Sequence, residues 1–537
     1  MRVPIPIQAT FIMRRASCII QFVLATVVIA PIVVVGQEVA PSADSVVRIA
    51  RNFHRANQAQ ITRELISFLS LPNVASDTTG IRRNAAALVT LFRRRGFSTE
   101  LLPSDSGNPP ALYAERPGKT GSRTLVLYAH YDGQPAAEAT WLAPPWVPVL
   151  RTAAVEFGGQ PISIADIVGP LPSDARVYAR SASDDKAPII AILAAIDALD
   201  AAKIPLGVNL KMFLEGEEEA GSEHLRGILR RNAERLRSDL WIICDGPVHQ
   251  SGAPQLVFGA RGVLDVELSV FGPIRALHSG HYGNWAPNPA AYLADLLSSM
   301  RAPNGDILID GFKEATRPPT AAELEAVSRM PDYDSRLRQE LLLAASESKN
   351  ARLDARLLQP ALNIRGFVSG GVAASAANAI PSVAKASIDF RLVPNLDPPR
   401  VRALVESHFK KKGFFIVIGR DPTSAERRAH FPIIRADWSD GYPALRTPLT
   451  LPASKALVQA VTEARGVAPV LAPTMGASLP LYIIAEEARA PIIALPIVNH
   501  DNNQHGPNEN VRLQSLWDGV ETFAVVLVRL SEVWAAR

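Results

Sequence analysis

The chain alternates apolar strand-like runs with helical segments, and ligand-type side chains directly follow the strands. TLVLYAH, VNLKMFLEG and LWIICDG read as strands, and APIIAILAAIDALDAA reads as a helix. This alternation predicts right-handed crossovers and a mixed, mostly parallel sheet flanked by helices. Because ligands collect beyond the carboxyl ends of such strands, we expect each ligand to follow its own strand and all of them to lie together.

A second unit interrupts this pattern after Ala260. RGVLDVELSVFG alternates with a period of two, which indicates a strand with one solvated face. A polar, helix-favouring insert follows from about residue 303 to 350, and then AKASIDFRLV, DPPRVRALVESHFKKKG and FFIVIG read as strand, helix and strand. We therefore predict an α+β domain over residues 261–446, inserted between catalytic segments 43–260 and 447–537.

Residues 1–36 have the pattern of an export segment. Arg14 and Arg15 precede an apolar run that ends in small residues near Gly36. We predict an exported protein, either periplasmic or secreted. The run is nearly as long as a membrane span, so an uncleaved membrane anchor is the alternative. Of the two cysteines, Cys18 would leave with this segment and Cys244 would remain as a single thiol.

The charge balance argues against a nucleic-acid partner. The net charge of +4 is small for 537 residues, and no long basic block is present. The length and the 47% hydrophobic content allow more than one core.

Five side chains of the metal-ligand type follow the apolar runs: His130, Asp184, Glu219, Asp245 and His505. Two imidazoles and three carboxylates suffice for two Zn²⁺ ions per subunit that share one carboxylate, which predicts hydrolysis by a metal-activated water. Mn²⁺ and Co²⁺ are alternatives, because such sites accept several divalent ions.

Each of these motifs has a simpler explanation when taken alone. A helix N-cap would explain Asp184, a solvated charge run would explain EGEEEAGS, and backbone amides would satisfy Asp245. Spacing does not separate His505 from His500 as the last ligand.

Three further residues have predicted roles beside the ligands. Asp132 would orient the His130 imidazole. Glu218 is the free carboxylate that would take a proton from the attacking water and pass it to the leaving amine. His278, in the inserted domain, would reach a developing oxyanion once domains or subunits close.

With these motifs laid out, the chain resembles the di-zinc metallopeptidase superfamily of carnosinases, aminoacylases, glutamate carboxypeptidases and succinyl-diaminopimelate desuccinylase. The resemblance runs from about Ala43 to the C-terminus. YDGQP, SASDDKAP and GFVSGG with NAIP and ASIDFRLVP make it most similar to the carnosinase-like dipeptidase branch. The resemblance implies a zinc-peptidase-like catalytic domain and a ferredoxin-like lid that joins two subunits.

The resemblance also implies a role for individual residues. It makes Asp184 the bridging ligand and selects His505 over His500. It assigns the substrate carboxylate to Asn378 and Arg391, and it lets the partner subunit supply His278. A Gly-Gly-Ser segment that lines the family's site matches Gly476, Ala477 and Ser478, with alanine in place of the second glycine.

These inferences predict a dipeptidase that cleaves a peptide bond next to a free carboxylate. An N-acyl-amino-acid amidohydrolase or a carboxypeptidase would use the same site. From other classes, a periplasmic solute-binding protein would need no free carboxylate such as Glu218, and a structural scaffold would need no clustered ligands.

Overall fold

The computed structural model describes residues 41–104, 109–167, 169–349, 351–477 and 481–534. The predicted export segment, residues 1–36, lies outside them, so its structure stays a prediction. Within the described part of the chain, no helix combines the length and the apolar character needed to cross a lipid bilayer.

The helices and strands occur in the following order along the chain. The helices are α1 Ala43–Leu69, α2 Thr78–Arg93, α3 Lys186–Ala201, α4 Leu225–Arg231, α5 Ser279–Tyr282, α6 Pro289–Met300, α7 Ala321–Arg329, α8 Asp334–Glu340, α9 Leu353–Leu357, α10 Pro398–Lys411, α11 Ser424–Ala429, α12 Pro452–Arg465, α13 Leu481–Ala488 and α14 Leu513–Val533. The strands are β1 Ser98–Leu102, β2 Ala111–Arg116, β3 Thr124–His130, β4 Val149–Arg151, β5 Pro161–Ile162, β6 Arg176–Tyr178, β7 Asn209–Glu215, β8 Leu240–Ile243, β9 Gln255–Val257, β10 Gly259–Ala260, β11 Gly262–Phe271, β12 Leu277–His278, β13 Ala361–Val368, β14 Ala379–Ile380, β15 Val383–Leu392, β16 Phe415–Val417, β17 Ile433–Trp438, β18 Leu445–Arg446, β19 Val470–Ala472, β20 Ile492–Ala494 and β21 Asn510–Arg512.

The larger sheet has eight strands in the order β1-β2-β7-β3-β8-β20-β9-β19. Its centre is parallel, because β3 pairs in parallel with β7 and β8, and β20 pairs in parallel with β8. The pairs β1–β2, β2–β7 and β20–β9 are antiparallel. The predicted mixed, mostly parallel sheet is therefore confirmed.

Helices cover both faces of this sheet, as the apolar runs require. Side chains alternate between the faces of a strand, and Val126 and Tyr128 of β3 join a core with residues of α4 and α13. Helix α3 packs among α1, α14 and β3. It is buried on nearly all sides, which explains its unbroken apolar sequence.

The second large sheet has five strands in the order β13-β15-β11-β17-β16. All five lie within residues 361–438 or in β11, and their side chains form a separate core with α6 and α10. This confirms an α+β unit of the predicted kind. Its boundaries at 261 and 446 stay predictions.

Candidate metal centre

The centre of the large sheet brings three predicted ligands to one edge. His130 is the last residue of β3, Asp245 follows β8 by two residues, and Glu219 lies in the loop after β7. Because β7, β3 and β8 are adjacent and parallel, their carboxyl ends meet. The local sequence thus delivers these side chains to one place.

Asp184 reaches the same place from a different sheet, so the prediction that every ligand ends a strand of one sheet is wrong. The preceding strand β6 belongs to a four-stranded sheet of order β21-β6-β4-β5. Asp184 lies in the turn before α3, and its peptide bond to Asp185 is cis. A tight turn, rather than strand direction, aims this carboxylate.

The five predicted ligands form two overlapping groups with Asp184 in both. Ligand atoms of His130, Asp184 and Asp245 lie within 4.8 Å of one another, and so do those of Asp184, Glu219 and His505. His130 Nε2 is 2.8 Å from Asp184 Oδ1. His505 Nε2 is 3.0 Å from Asp184 Oδ2 and 3.2 Å from Glu219 Oε2. One carboxylate therefore faces both halves of the cluster.

Asp132 links the His130 imidazole to the glutamate loop. Its Oδ1 lies 3.3 Å from His130 Nδ1. The same carboxylate accepts hydrogen bonds from the backbone N–H groups of Glu218 (3.1 Å) and Glu219 (3.0 Å). Asp132 is fully buried, so these bonds are shielded from water. These contacts hold the loop that carries Glu218, and the predicted role of Asp132 in orienting a metal ligand stays a prediction.

Two glutamines that the sequence did not single out contact the ligand carboxylates. Gln134 Nε2 donates to Glu219 Oε2 at 2.9 Å, and Gln504 Nε2 donates to Asp184 Oδ2 at 2.7 Å. Gln504 directly precedes His505, and Gln134 lies in the YDGQP motif. Amide donors of this kind restrict the rotation of a carboxylate that must face a cation.

Glu509 lies in the NNQHGPNEN motif, but its sequence context did not indicate a role for it. This fully buried carboxylate accepts hydrogen bonds from the backbone N–H groups of Ser181, Ser183 and Asp184, from the Ser183 hydroxyl and from Arg180 Nη1, all at 2.8–3.0 Å. Burial raises its pKa and the Arg180 guanidinium opposes that rise. Glu509 thereby anchors the turn that presents Asp184.

We expect Glu509→Gln to lower the free energy of unfolding by about 3 kcal/mol, because an amide N–H₂ would face N–H donors and leave Arg180 buried without its anion. Urea unfolding of the metal-free protein measures this. Glu486→Gln is the matched control, since Glu486 is exposed and pairs with the partly exposed Arg226. A loss below about 1 kcal/mol in Glu509→Gln would contradict the anchoring role.

The crowded carboxylates perturb one another electrostatically. Burial, followed by the charge of Asp184, raises the pKa of Asp245 to about 7. Burial also raises the pKa of Glu218 well above its usual range. Hydrogen bonds to Asp184 and Glu219 raise the pKa of His505 to about 10. Burial opposes ionisation of Asp184, but hydrogen bonds from His130 and His505 outweigh it and lower its pKa. The cluster concentrates negative charge that a cation would neutralise.

The donor set fits divalent metal ions. Asp245 Oδ1 is buried and has no hydrogen-bond partner among the described residues, which is costly for a carboxylate unless a cation contacts it. Imidazole nitrogens and carboxylate oxygens are ligands that zinc accepts. A shared carboxylate such as Asp184 would lower the repulsion between two ions about 3.5–4 Å apart.

A cavity of about 880 Å³ opens onto the cluster. Asp184, Glu218, Glu219, Asp245 and His505 line one end of it. Gly476 and Ala477 also line it, whereas Ser478 lies outside the described residues and its role stays a prediction. Glu218 thus faces the same space as the ligands, which is the position that a base needs.

His278, Asn378 and Arg391 lie in the second sheet unit and do not line this cavity. His278 in β12 pairs with Ala379 in β14, and Ser279 N donates to the carbonyl oxygen of Asn378 at 2.9 Å. His278 and Asn378 are exposed neighbours, and Arg391 is partly exposed at the end of β15. The structure brings His278 and Asn378 together, but neither lines the cavity onto which the predicted ligands of the same chain open.

A mixed sheet with clustered imidazoles and carboxylates at its edge, beside a large cavity, is the arrangement expected of a metal-dependent hydrolase. Residues 126–529 match peptidase family M20/M25/M40. The chain belongs to this family and is a hydrolytic enzyme. Membership does not favour the alternatives of a solute-binding protein or a scaffold.

Similar proteins agree with this assignment. The chain is 26% identical to Cys-Gly metallodipeptidase dug1 of Schizosaccharomyces pombe over 87% of this chain and 94% of that protein. It is 25% identical to the Beta-Ala-His dipeptidase of Rattus norvegicus over 80% of this chain and 81% of that protein. Among solved structures, the M20 family metallo-carboxypeptidase Sso-CP2 from Sulfolobus solfataricus aligns with a TM-score of 0.66 at 27% identity, over 87% of this chain and 98% of that one.

The same comparison corrects the prediction of export. The relatives that cover most of the chain, the Cys-Gly and Beta-Ala-His dipeptidases, count against a periplasmic or secreted enzyme. The prediction rested on an apolar run at residues 16–36, and apolar character and flanking arginines alone do not determine where a protein resides. Export is therefore withdrawn, together with its alternative of a membrane anchor.

Proposed function

We propose that this enzyme is a dipeptidase that uses two divalent metal ions to cleave the peptide bond of dipeptides with a free C-terminal carboxylate. Zinc is the proposed ion. The observation that carries the proposal is the presence of Asp184 in both ligand groups, with Glu218 facing the same cavity. The names of the relatives, Cys-Gly and Beta-Ala-His dipeptidases, support dipeptides as the substrate class.

In this proposal His130, Asp184 and Asp245 hold one ion, and Asp184, Glu219 and His505 hold the other. When bound, such ions polarise a carbonyl group and lower the pKa of water. The protein's contribution is to keep the ligands in place through Asp132, Gln134, Gln504 and Glu509.

Glu218 acts as the general base and then as the general acid. Its backbone is held by Asp132, and its carboxylate is free of the two ligand groups. It accepts a proton from the attacking water and delivers it to the nitrogen of the leaving amine as the C–N bond breaks. The burial that raises its pKa favours a carboxyl group that can return the proton.

The substrate carboxylate needs a cationic partner from elsewhere. No lysine or arginine is found among the described residues that line the cavity. Arg391 and Asn378 of a second copy of the chain would supply the contacts, because a guanidinium binds a carboxylate through paired N–H groups. His278 of that copy would stabilise the oxyanion.

The surface of the five-stranded sheet supports such a dimer. β13 ends the strand order, so its outer edge presents backbone groups to another chain. Ile364, Phe367 and Val368 on this strand are 40%, 46% and 60% exposed. An exposed apolar edge strand is typical of a surface that a second copy covers.

The proposed function is tested by elemental analysis combined with a screen of dipeptides, N-acetyl amino acids and tripeptides. We expect two metal ions per chain and hydrolysis of free dipeptides, with at least tenfold lower kcat/KM when the C-terminus is amidated. Faster turnover of N-acetyl amino acids would favour the deacylase alternative. Faster turnover of tripeptides, with release of the last residue, would favour the carboxypeptidase.

A mixing experiment tests whether His278 acts across the dimer. We expect Glu218→Gln and His278→Ala to be nearly inactive separately, because each removes a group from every active site. After the two are mixed and allowed to exchange subunits, the heterodimer contains one site with both groups, so activity should recover. The reference is a mixture of Glu218→Gln with Asp245→Asn, in which every subunit keeps His278. This mixture should stay inactive, because each of its active sites lacks either Glu218 or Asp245. No recovery in the His278→Ala mixture, with subunit exchange verified, would contradict the shared site.

A further inference from the structure

One wall of the cavity comes from the polar insert, a segment that carries none of the predicted metal ligands. Six residues of the segment around α8 and α9 line it: Tyr333, Asp334, Leu337, Leu353, Asp354 and Leu357. This wall meets the catalytic segment directly, since a Cβ on Gly476 would lie 3.3 Å from Leu357 Cδ2. The insert therefore closes the cavity that Glu218 faces.

The cavity has far more room than a pair of small residues needs. Its volume of about 880 Å³ is near the upper end of the range for small-molecule sites. Leu353 is 47% exposed, and the side chains of Tyr333, Leu337 and Leu357 are only partly covered. These groups form an apolar surface on which an aliphatic substrate chain can pack.

Carboxylates predominate among the charged side chains of the lining. Six carboxylates line the cavity, namely Asp184, Glu218, Glu219, Asp245, Asp334 and Asp354, and no lysine or arginine does so within the described residues. Two divalent ions would carry four positive charges and offset the four carboxylates at the metal end. Asp334 and Asp354 would then share one guanidinium, that of Arg352, so the α8–α9 wall would keep a net negative charge.

Asp354 pairs with Arg352, whose guanidinium is shared with two backbone carbonyl oxygens. Its Oδ2 accepts a hydrogen bond from Arg352 Nη2 at 3.0 Å, but Arg352 also donates to the carbonyl oxygens of Val327 and Pro331. Burial raises the pKa of Asp354 in spite of that guanidinium. Asp334 Oδ2 accepts from the backbone N–H of Leu353, which fixes its position beside Asp354.

We propose that this wall selects substrates with a long basic side chain, in which an aliphatic stem packs on Leu337, Leu353 and Leu357 and a terminal cation binds between Asp334 and Asp354. The inference deepens the proposed dipeptidase function and rests on it. An aliphatic stem with a cationic end matches the lining, because Lys and Arg side chains pack their stems on apolar surface while their charge meets an anion. The selected class is therefore dipeptides that contain lysine or arginine.

The test compares lysine with norleucine, which has the same unbranched stem and no charge. The kcat/KM ratio of Lys-Gly to norleucyl-Gly, and of Gly-Lys to Gly-norleucine, is measured with the metal-loaded protein. We expect the ratio to exceed about ten for one of the two positions, the size of effect that a partly desolvated charge pair gives. In the double variant Asp334→Asn, Asp354→Asn, that ratio should fall roughly tenfold.

The substitution to asparagine removes charge but keeps an oxygen for Leu353 N–H and for Arg352, so the wall retains its bonds. The thermal unfolding midpoint of the double variant and of each single variant is measured to verify that the protein stays folded. Glu340→Gln, on the exposed face of α8 and outside the cavity, should keep the wild-type ratio.

A folded double variant with an unchanged ratio would overturn the inference, and so would a wild type that prefers norleucine or glutamate. Preference for norleucine would mean that the apolar surface alone selects. In both cases dipeptides are still cleaved, so the proposed function stands. If no dipeptide of any kind is hydrolysed, it is the proposed function that fails.

Discussion

Replacing Glu218 with glutamine is expected to lower kcat about 10³-fold while both metal ions stay bound. The amide cannot accept a proton from water. Glu218 is the carboxylate that Asp132 holds in this loop without being part of either ligand group. Because Glu218 is not in either ligand group, KM and metal content should change little. Steady-state kinetics and elemental analysis on the same preparation measure the two effects separately.

Glu223→Gln is the matched control for this variant. Glu223 lies in the same acidic stretch but is exposed and does not line the cavity. It should retain wild-type kinetics. Full activity in Glu218→Gln would end the proposed mechanism, whereas loss of metal together with activity would show that Glu218 is a ligand instead.

Replacing Asp184 with asparagine is expected to abolish binding of both metal ions at micromolar concentration. Asp184 is the one residue that the two ligand groups share, and an amide has a single oxygen and no charge to offer two cations. Activity should fall by at least about 10³-fold. The wild type should gain about 2.7 kcal/mol of stability when zinc is present at a hundred times its dissociation constant, and the variant should gain none.

Asp174→Asn provides the comparison, because Asp174 is an exposed partner of Arg512 outside the cluster. It should bind two ions and be stabilised by zinc like the wild type. Metal-free Asp184→Asn should unfold at a similar urea concentration to the metal-free wild type. Two ions retained in Asp184→Asn would refute the shared-ligand arrangement.

Much of the fold could be predicted from local sequence patterns. A period of two in RGVLDVELSVFG identified β11, and the long apolar run beginning at Ala187 identified α3. Candidate ligands could also be chosen from the sequence, because His and carboxylate side chains beside strand ends are chemically distinctive, and their role as ligands stays a prediction. His505 was separated from His500 only by the family resemblance, since both lie in one polar loop.

The residues that hold the site together could not be predicted in this way. Glu509 hydrogen-bonds to residues more than 320 positions earlier in the chain, and Gln504 donates to Asp184 across a similar separation. Such contacts leave no periodic pattern, because any loop can carry a glutamate or glutamine. The prediction that each ligand follows a strand of the large sheet was likewise wrong for Asp184, whose carboxylate is positioned by the turn before α3.

The tertiary structure also decided the use of the polar insert. Its composition predicted helices, and α8 and α9 are helices with exposed faces. Their other faces close the cavity and contribute Asp334 and Asp354, which no local pattern indicated.

The amino-acid sequence by itself determined the two sheets, the ligand chemistry and the class of enzyme, because periodicity and side-chain type act over a few residues. The convergence of the predicted ligands on Asp184, the anchoring by Glu509 and Asp132, and the presence of Asp334 and Asp354 in the cavity wall were decided only by the tertiary structure. Hydrogen bonds and charges act through space over a few ångströms, so their partners are known only once distant segments of the chain have packed together.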